Sequence, residues 1–76
     1  MNEHARIVLT EDLPEHRLQA GDVGTIIHVY TGAQAFEVEF VALTGKTIAV
    51  VSIPSDRARP VREDELTHAR PIPATG

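Results

Sequence analysis

The sequence predicts an all-β protein: a small five-stranded barrel with a long first loop and at most one short helical turn near the C-terminus. Three observations carry this. Short runs rich in β-branched residues recur between Gly- or Pro-containing turns, and no run keeps a helical period over an ordinary helix length. The turn Gly21-Asp22-Val23-Gly24-Thr25 opens directly into the apolar run Ile26-Ile27-His28-Val29-Tyr30. Ala35 to Val41 alternates cleanly, which predicts Phe36, Val38 and Phe40 facing a core and Glu37 and Glu39 facing water.

The elements follow in order. Ala5 to Thr10 is a first strand that ends at an acidic, Pro-containing segment, and the stretch Glu11 to Asp22 is a long loop. Pro14 fixes its own φ and pushes Leu13 out of the helical region. A loop of this length in a compact domain suggests a functional role, with a structural alternative in which Leu13 and Leu18 plug one end of the barrel. From Val23 to Tyr30 runs a second strand that is apolar on both faces, with Ile26 breaking the alternation and Gly24 suited to a bend or bulge. Thr31 to Gln34 is a turn and Ala35 to Val41 the third strand. Leu43-Thr44-Gly45-Lys46 is a hairpin turn with Gly45 in a left-handed position. Thr47 to Ile53 is the fourth strand, ended by Pro54, which has no backbone donor. Pro54 to Arg57 is a turn, Ala58 to Val61 a short last strand, and Arg62 to Leu66 a helical turn at most.

With 76 residues, the chain has room for one domain, expected over residues 1–70 with 71–76 as a flexible Pro-containing tail. It contains no cysteine, so disulfides, thiolate metal sites and thiol nucleophiles are excluded and a reducing cytoplasm is the expected location. Its start lacks the basic-then-apolar pattern of a signal peptide. The run Ile48 to Ile53 is far below the roughly 20 residues that span a bilayer as a helix, so no membrane association is expected. A formal net charge of -4 disfavours nonspecific nucleic-acid binding.

At Glu11-Asp12-Leu13-Pro14-Glu15-His16, Gly21-Asp22-Val23-Gly24-Thr25-Ile26, Phe36-Glu37-Val38-Glu39-Phe40-Val41 and Gly45-Lys46-Thr47, the chain resembles a small bacterial family, domain of unknown function 4926. The resemblance covers roughly residues 5 to 66. It implies an SH3-like barrel and supplies no activity. The Gly-Asp-Val-Gly-Thr piece alone is also similar to the motif of KOW-type barrels, found in ribosomal and transcription proteins.

Residues with chemical potential do not assemble into a reactive motif. His4, His16, His28 and His68 fit no compact metal-ligand spacing, and no cofactor or metal is expected. Glu37 and Glu39 fall about 7 Å apart on one strand face, but no cleft is marked that raises the pKa of one of them for acid–base work. Ser52 and Ser55 lack a recognisable base and oxyanion partner. Gly21 and Gly24 precede a strand, whereas a phosphate loop needs a helix N-terminus after it. Arg57, Arg59, Arg62 and Arg70 form the candidate nucleic-acid patch, nearly cancelled by Asp56, Glu63, Asp64 and Glu65, and the three aromatic side chains offer little for base stacking.

The functional expectation is therefore a non-enzymatic binding or accessory module whose partner is another protein. It would act through an acidic rim of Glu11, Asp12, Glu15 and His16, with Tyr30 as anchor. One specific form is escort or neutralisation of a protein produced alongside it. The alternative is a KOW-like nucleic-acid binder using the C-terminal arginines. The apolar fourth strand is in addition a candidate for self-association, because burying it against a twin helps a small core.

Overall fold

A computed structural model of the chain describes residues 1–73. Five strands form one antiparallel sheet: β1 (Arg6–Leu9), β2 (Val23–Val29), β3 (Ala35–Val41), β4 (Thr47–Pro54) and β5 (Ala58–Pro60), in the order β4-β3-β2-β1-β5. β4 and β5 are thus opposite edges, yet only the 3-10 turn Ser55–Arg57 separates them. Laid flat, five strands place their edge strands about 19 Å apart, whereas the four residue steps from Pro54 to Ala58 reach at most about 15 Å. The sheet must therefore curl until its edges approach, which makes it a barrel closed by the chain rather than by hydrogen bonds. The remaining 3-10 turns are Pro14–His16 and Thr31–Ala33. Residues 62–65 form a single hydrogen-bonded turn, with Glu65 N donating to Arg62 O at 3.3 Å.

The curled sheet wraps a core of Ile7, Leu9, Leu13, Leu18, Ile26, Phe36, Val38, Phe40, Val51 and Ile53. The expected alternation of β3 is what builds it. Phe36, Val38 and Phe40 are buried and stand opposite Ile53, Val51 and Ala49 of β4, so inner-face side chains meet across neighbouring strands. On the outer face, Glu37 and Glu39 each accept a hydroxyl hydrogen bond from β4, from Ser52 Oγ at 2.8 Å and Thr47 Oγ1 at 2.7 Å.

The two-faced apolarity of β2 has a definite cause. Ile26 pairs with Val38, but the next pair is His28 with Glu37, so Ile27 is an extra residue in a β-bulge. The bulge lets Ile26 and then Val29 face the core, three positions apart, while Ile27 is 42% exposed. Gly24 lies outside this bulge and has a different role. A Cβ there would meet Val38 Cγ1 at 2.5 Å and Phe40 Cε1 at 2.9 Å, so the β1–β2 layer can pack onto β3 only over a bare backbone. At the β3–β4 turn, Gly45 takes the expected positive φ of 96°.

The long first loop is a folded finger. Leu13 and Leu18 exchange both backbone hydrogen bonds, at 2.9 and 3.1 Å, and their side chains are buried in the core. Between them the turn Pro14–His16 ends at Arg17, whose φ of 61° is left-handed and whose N–H donates to Pro14 O. Two aspartates brace the returning arm: Asp12 Oδ1 accepts from Ala20 N at 2.8 Å and Asp22 Oδ2 from Gln19 N at 2.9 Å. Among the described residues, no helix is long and apolar enough to cross a membrane.

Candidate functional site

The first loop returns to the sheet at Asp22, and a concavity opens at that return point. An open groove of about 580 Å³ lies between the Leu18–Val23 stretch, the β3–β4 hairpin and residues 66–72. Its apolar lining includes Val23, Val41, Leu43, Ile48, Leu66 and Ile72. Leu43 is 80% exposed and Leu66 95% exposed, so two large aliphatic side chains stand in water at the rim. The β3–β4 turn explains Leu43: it lies one residue beyond Ala42, whose N–H is held by Lys46 O at 2.8 Å, and no strand covers it.

The segment 66–72 is tied to the first loop at Arg70, which reaches Asp22. Arg70 Nε and Nη2 donate to Asp22 Oδ1 and Oδ2 at 2.9 and 2.5 Å, and Nη2 also donates to Arg17 O at 3.2 Å. This forked pairing fixes orientation as well as charge. The hydrogen bonds to Asp22 hold the Arg70 pKa above its ordinary value, against an opposing effect of desolvation. Arg17 returns the contact through Nη1 to Pro73 O at 3.2 Å. Of the expected tail 71–76, residues 74–76 lie outside the described residues.

The residues of the expected acidic rim differ in their surroundings. Asp12 turns into its own loop to hold Ala20, Glu11 pairs with Arg57 Nε at 3.2 Å, Glu15 is exposed on the finger tip and His16 is half-buried beside it. Tyr30 belongs to another group, on the outer face of β2 to β4. Its ring meets His28 edge-on, with centroids 4.8 Å apart. Ser52 spends its one hydroxyl proton on Glu37, so Tyr30, 3.4 Å away, donates to the Ser52 oxygen. The turn Ser55–Arg57 is bonded to Glu11 through Arg57 and to Gln34 O through Ser55 N at 2.9 Å.

The candidate arginine patch is divided among carboxylates. Arg57 faces Glu11 and Arg70 faces Asp22, while Arg59 forks onto Glu65 at 2.9 and 2.6 Å. Glu65 also accepts from Arg62 N at 2.7 Å, and these bonds, led by that from Arg59, lower its carboxyl pKa to about 2. Of the four, Arg62 keeps an exposed side chain that takes no part in these pairings. Among the described residues no group of three or more His, Asp or Glu is placed to hold a metal ion.

The groove and its Asp22–Arg70 tie were missed in the sequence. The partners are 48 residues apart, and nothing local in either segment announces the other. Leu43 carried a usable signal, being a large aliphatic residue inside a turn.

Comparison with known proteins adds a family without a function. The model described as Domain of unknown function (DUF4926) matches residues 3–60. That span contains all five strands and ends before the segment that carries Leu66 and Arg70. No curated protein and no solved structure matches the chain.

Proposed function

We propose that this chain, which belongs to the DUF4926 family of domains of unknown function, works as a non-enzymatic protein-binding module that receives an apolar segment of another protein in the groove beside its first loop. The observation that carries this reading is the groove itself, with Leu43 and Leu66 exposed at its rim. Large aliphatic side chains gathered at one concavity lose water on association, at roughly 25 cal/mol per Å² of apolar surface covered, and such clustering marks interaction sites rather than ordinary surface. The expected use of the first loop is retained, with its weight moved. Asp12, Asp22 and Glu11 are engaged within the chain, whereas the returning arm of the loop forms one wall of the groove. Glu15 at the finger tip remains free to steer a basic partner toward the site. Escort or neutralisation of a co-produced protein is one role such a module fills.

Nucleic acid is the weaker reading, because three of the four arginines offered for it are paired with carboxylates and releasing them costs those pairs. The test is site-specific photo-crosslinking in the native cell. A benzophenone side chain at Leu43 is expected to capture one discrete protein, and Val41→Asp should abolish that adduct. The same probe at Glu3, away from the groove, should not capture it. Equal labelling from both positions, or labelling indifferent to Val41→Asp, overturns the proposal.

A further inference from the structure

The two edges of the sheet are protected very differently. β5 has three residues, two of them Arg59 and Pro60, and a short edge bearing charge and proline resists further pairing. β4 has eight residues, and from Thr47 to Ile53 it carries neither charge nor proline. The direction of its backbone groups follows from the ladder. Ala35 O accepts from Tyr30 N on the β2 side, while Gln34 O accepts from Ser55 N on the β4 side. Even-numbered residues of β3 therefore bond to β4, and their partners Ile53, Val51 and Ala49 point their N–H and C=O inward. By alternation the N–H and C=O of Val50 and Ser52 point to the open edge. Among the described residues no hydrogen bond reaches those backbone groups. Pro54 falls in the same outward phase, where its missing N–H costs no ladder bond.

We infer that the open edge of β4 pairs antiparallel with β4 of a second copy, around Val50 and Val51, joining two sheets into one. A bare edge demands an extended, hydrogen-bonding strand, and β4 is itself such a strand. Antiparallel pairing of a strand with itself is closed by a two-fold axis, so both copies use one surface and no further copy is recruited. Charge decides in favour of the twin despite a net charge of -4 per chain. The junction itself is uncharged, the β3 backbones that carry Glu37 and Glu39 lie three strand spacings from their counterparts, about 14 Å, and both carboxylates are already engaged by the β4 hydroxyls of Ser52 and Thr47. Val50, 50% exposed in the single chain, gains a neighbour across the junction. Val50 and Ser52 do not line the groove, which takes only Ile48 from β4, so the pairing does not rest on the proposed function.

Sedimentation equilibrium from micromolar to millimolar concentration, combined with amide hydrogen exchange, tests the pairing. The mass is expected to rise from 8.3 kDa toward twice that value. At high concentration the amides of Val50 and Ser52 should exchange at least about tenfold more slowly than in dilute solution. Val50→Lys places a charge on the edge and Ser52→Pro removes one outward donor; each should hold the mass near the single-chain value while the circular dichroism spectrum stays β-type. Leu43→Asp, at the groove, should dimerise like the wild type. A chain that remains at the single mass throughout, with both amides freely exchanging, overturns the inference and leaves the edge to an extended segment of another protein. A dimer that forms without protecting those two amides overturns it equally.

Discussion

Two glycines show how differently one residue type is required. At Gly24 the limit is space, since an added methyl meets Val38 and Phe40 inside the core. At Gly45 the limit is conformation, because φ is 96° while nothing lies within 4 Å of an added Cβ. Gly24→Ala is therefore expected to cost about 1–3 kcal/mol through overpacking, and Gly45→Ala about 1 kcal/mol through left-handed strain. Urea unfolding of the combinations separates the causes. Val38→Ala removes the nearest obstructing methyl group and leaves Phe40, so the Gly24→Ala/Val38→Ala double variant should lose less stability than the two single losses summed; strict additivity would contradict a clash with Val38. The adjacent isoleucines make a second pair of opposites. Ile26 is fully buried and Ile27 protrudes from the bulge, so Ile27→Lys should shift stability by no more than about 0.5 kcal/mol, whereas Ile26→Lys should leave no cooperative thermal transition.

At the level of elements, strand placement was legible because each strand here satisfies a local rule. Ala35–Val41 alternates, Thr47–Pro54 stops at a proline, and Val23–Val29 starts at a glycine turn. The bulge at Ile27 was not legible in position. Its trace was Ile26 disturbing the alternation, and Gly24 drew the bulge toward itself although the close approach of β3 is what Gly24 serves. The segment after β5 is held to it by Arg59 and Glu65, and this tie has a pH signature. The Glu65 carboxyl is held at about 2, below its usual value of 4.5, so the folded chain binds the proton less readily than the unfolded one. The stability from this pair is thus fully present above about pH 4.5 and lost as pH falls toward 2. Thermal unfolding of Glu65→Gln should show a deficit against wild type at pH 7 that shrinks below pH 4.5 and disappears near pH 2. A deficit constant across that range would exclude the pair as its source.

For the molecule as a whole, the decisive contact is Asp22 with Arg70, which joins the family-matched barrel to the segment beyond residue 60. Asp22→Asn is expected to lower the backbone NMR order parameters of residues 66–73 while leaving amide exchange in β2 and β3 unchanged; faster exchange throughout the sheet instead would show that Asp22 supports the barrel and not the segment beyond residue 60. The sequence by itself determined the strands, their inward residues and the turn chemistry, because these depend on periodicity and φ preferences within a few neighbours. It also determined the family, through motif order. Only the tertiary structure decided which charges remain available and where apolar surface is left over. Those properties arise when residues tens of positions apart come together: Arg57 with Glu11, Arg70 with Asp22, and Leu43 and Leu66 in the lining of one groove. An acidic loop read as a rim thus became a braced finger, and a hairpin turn read only as a connection became the edge of a groove.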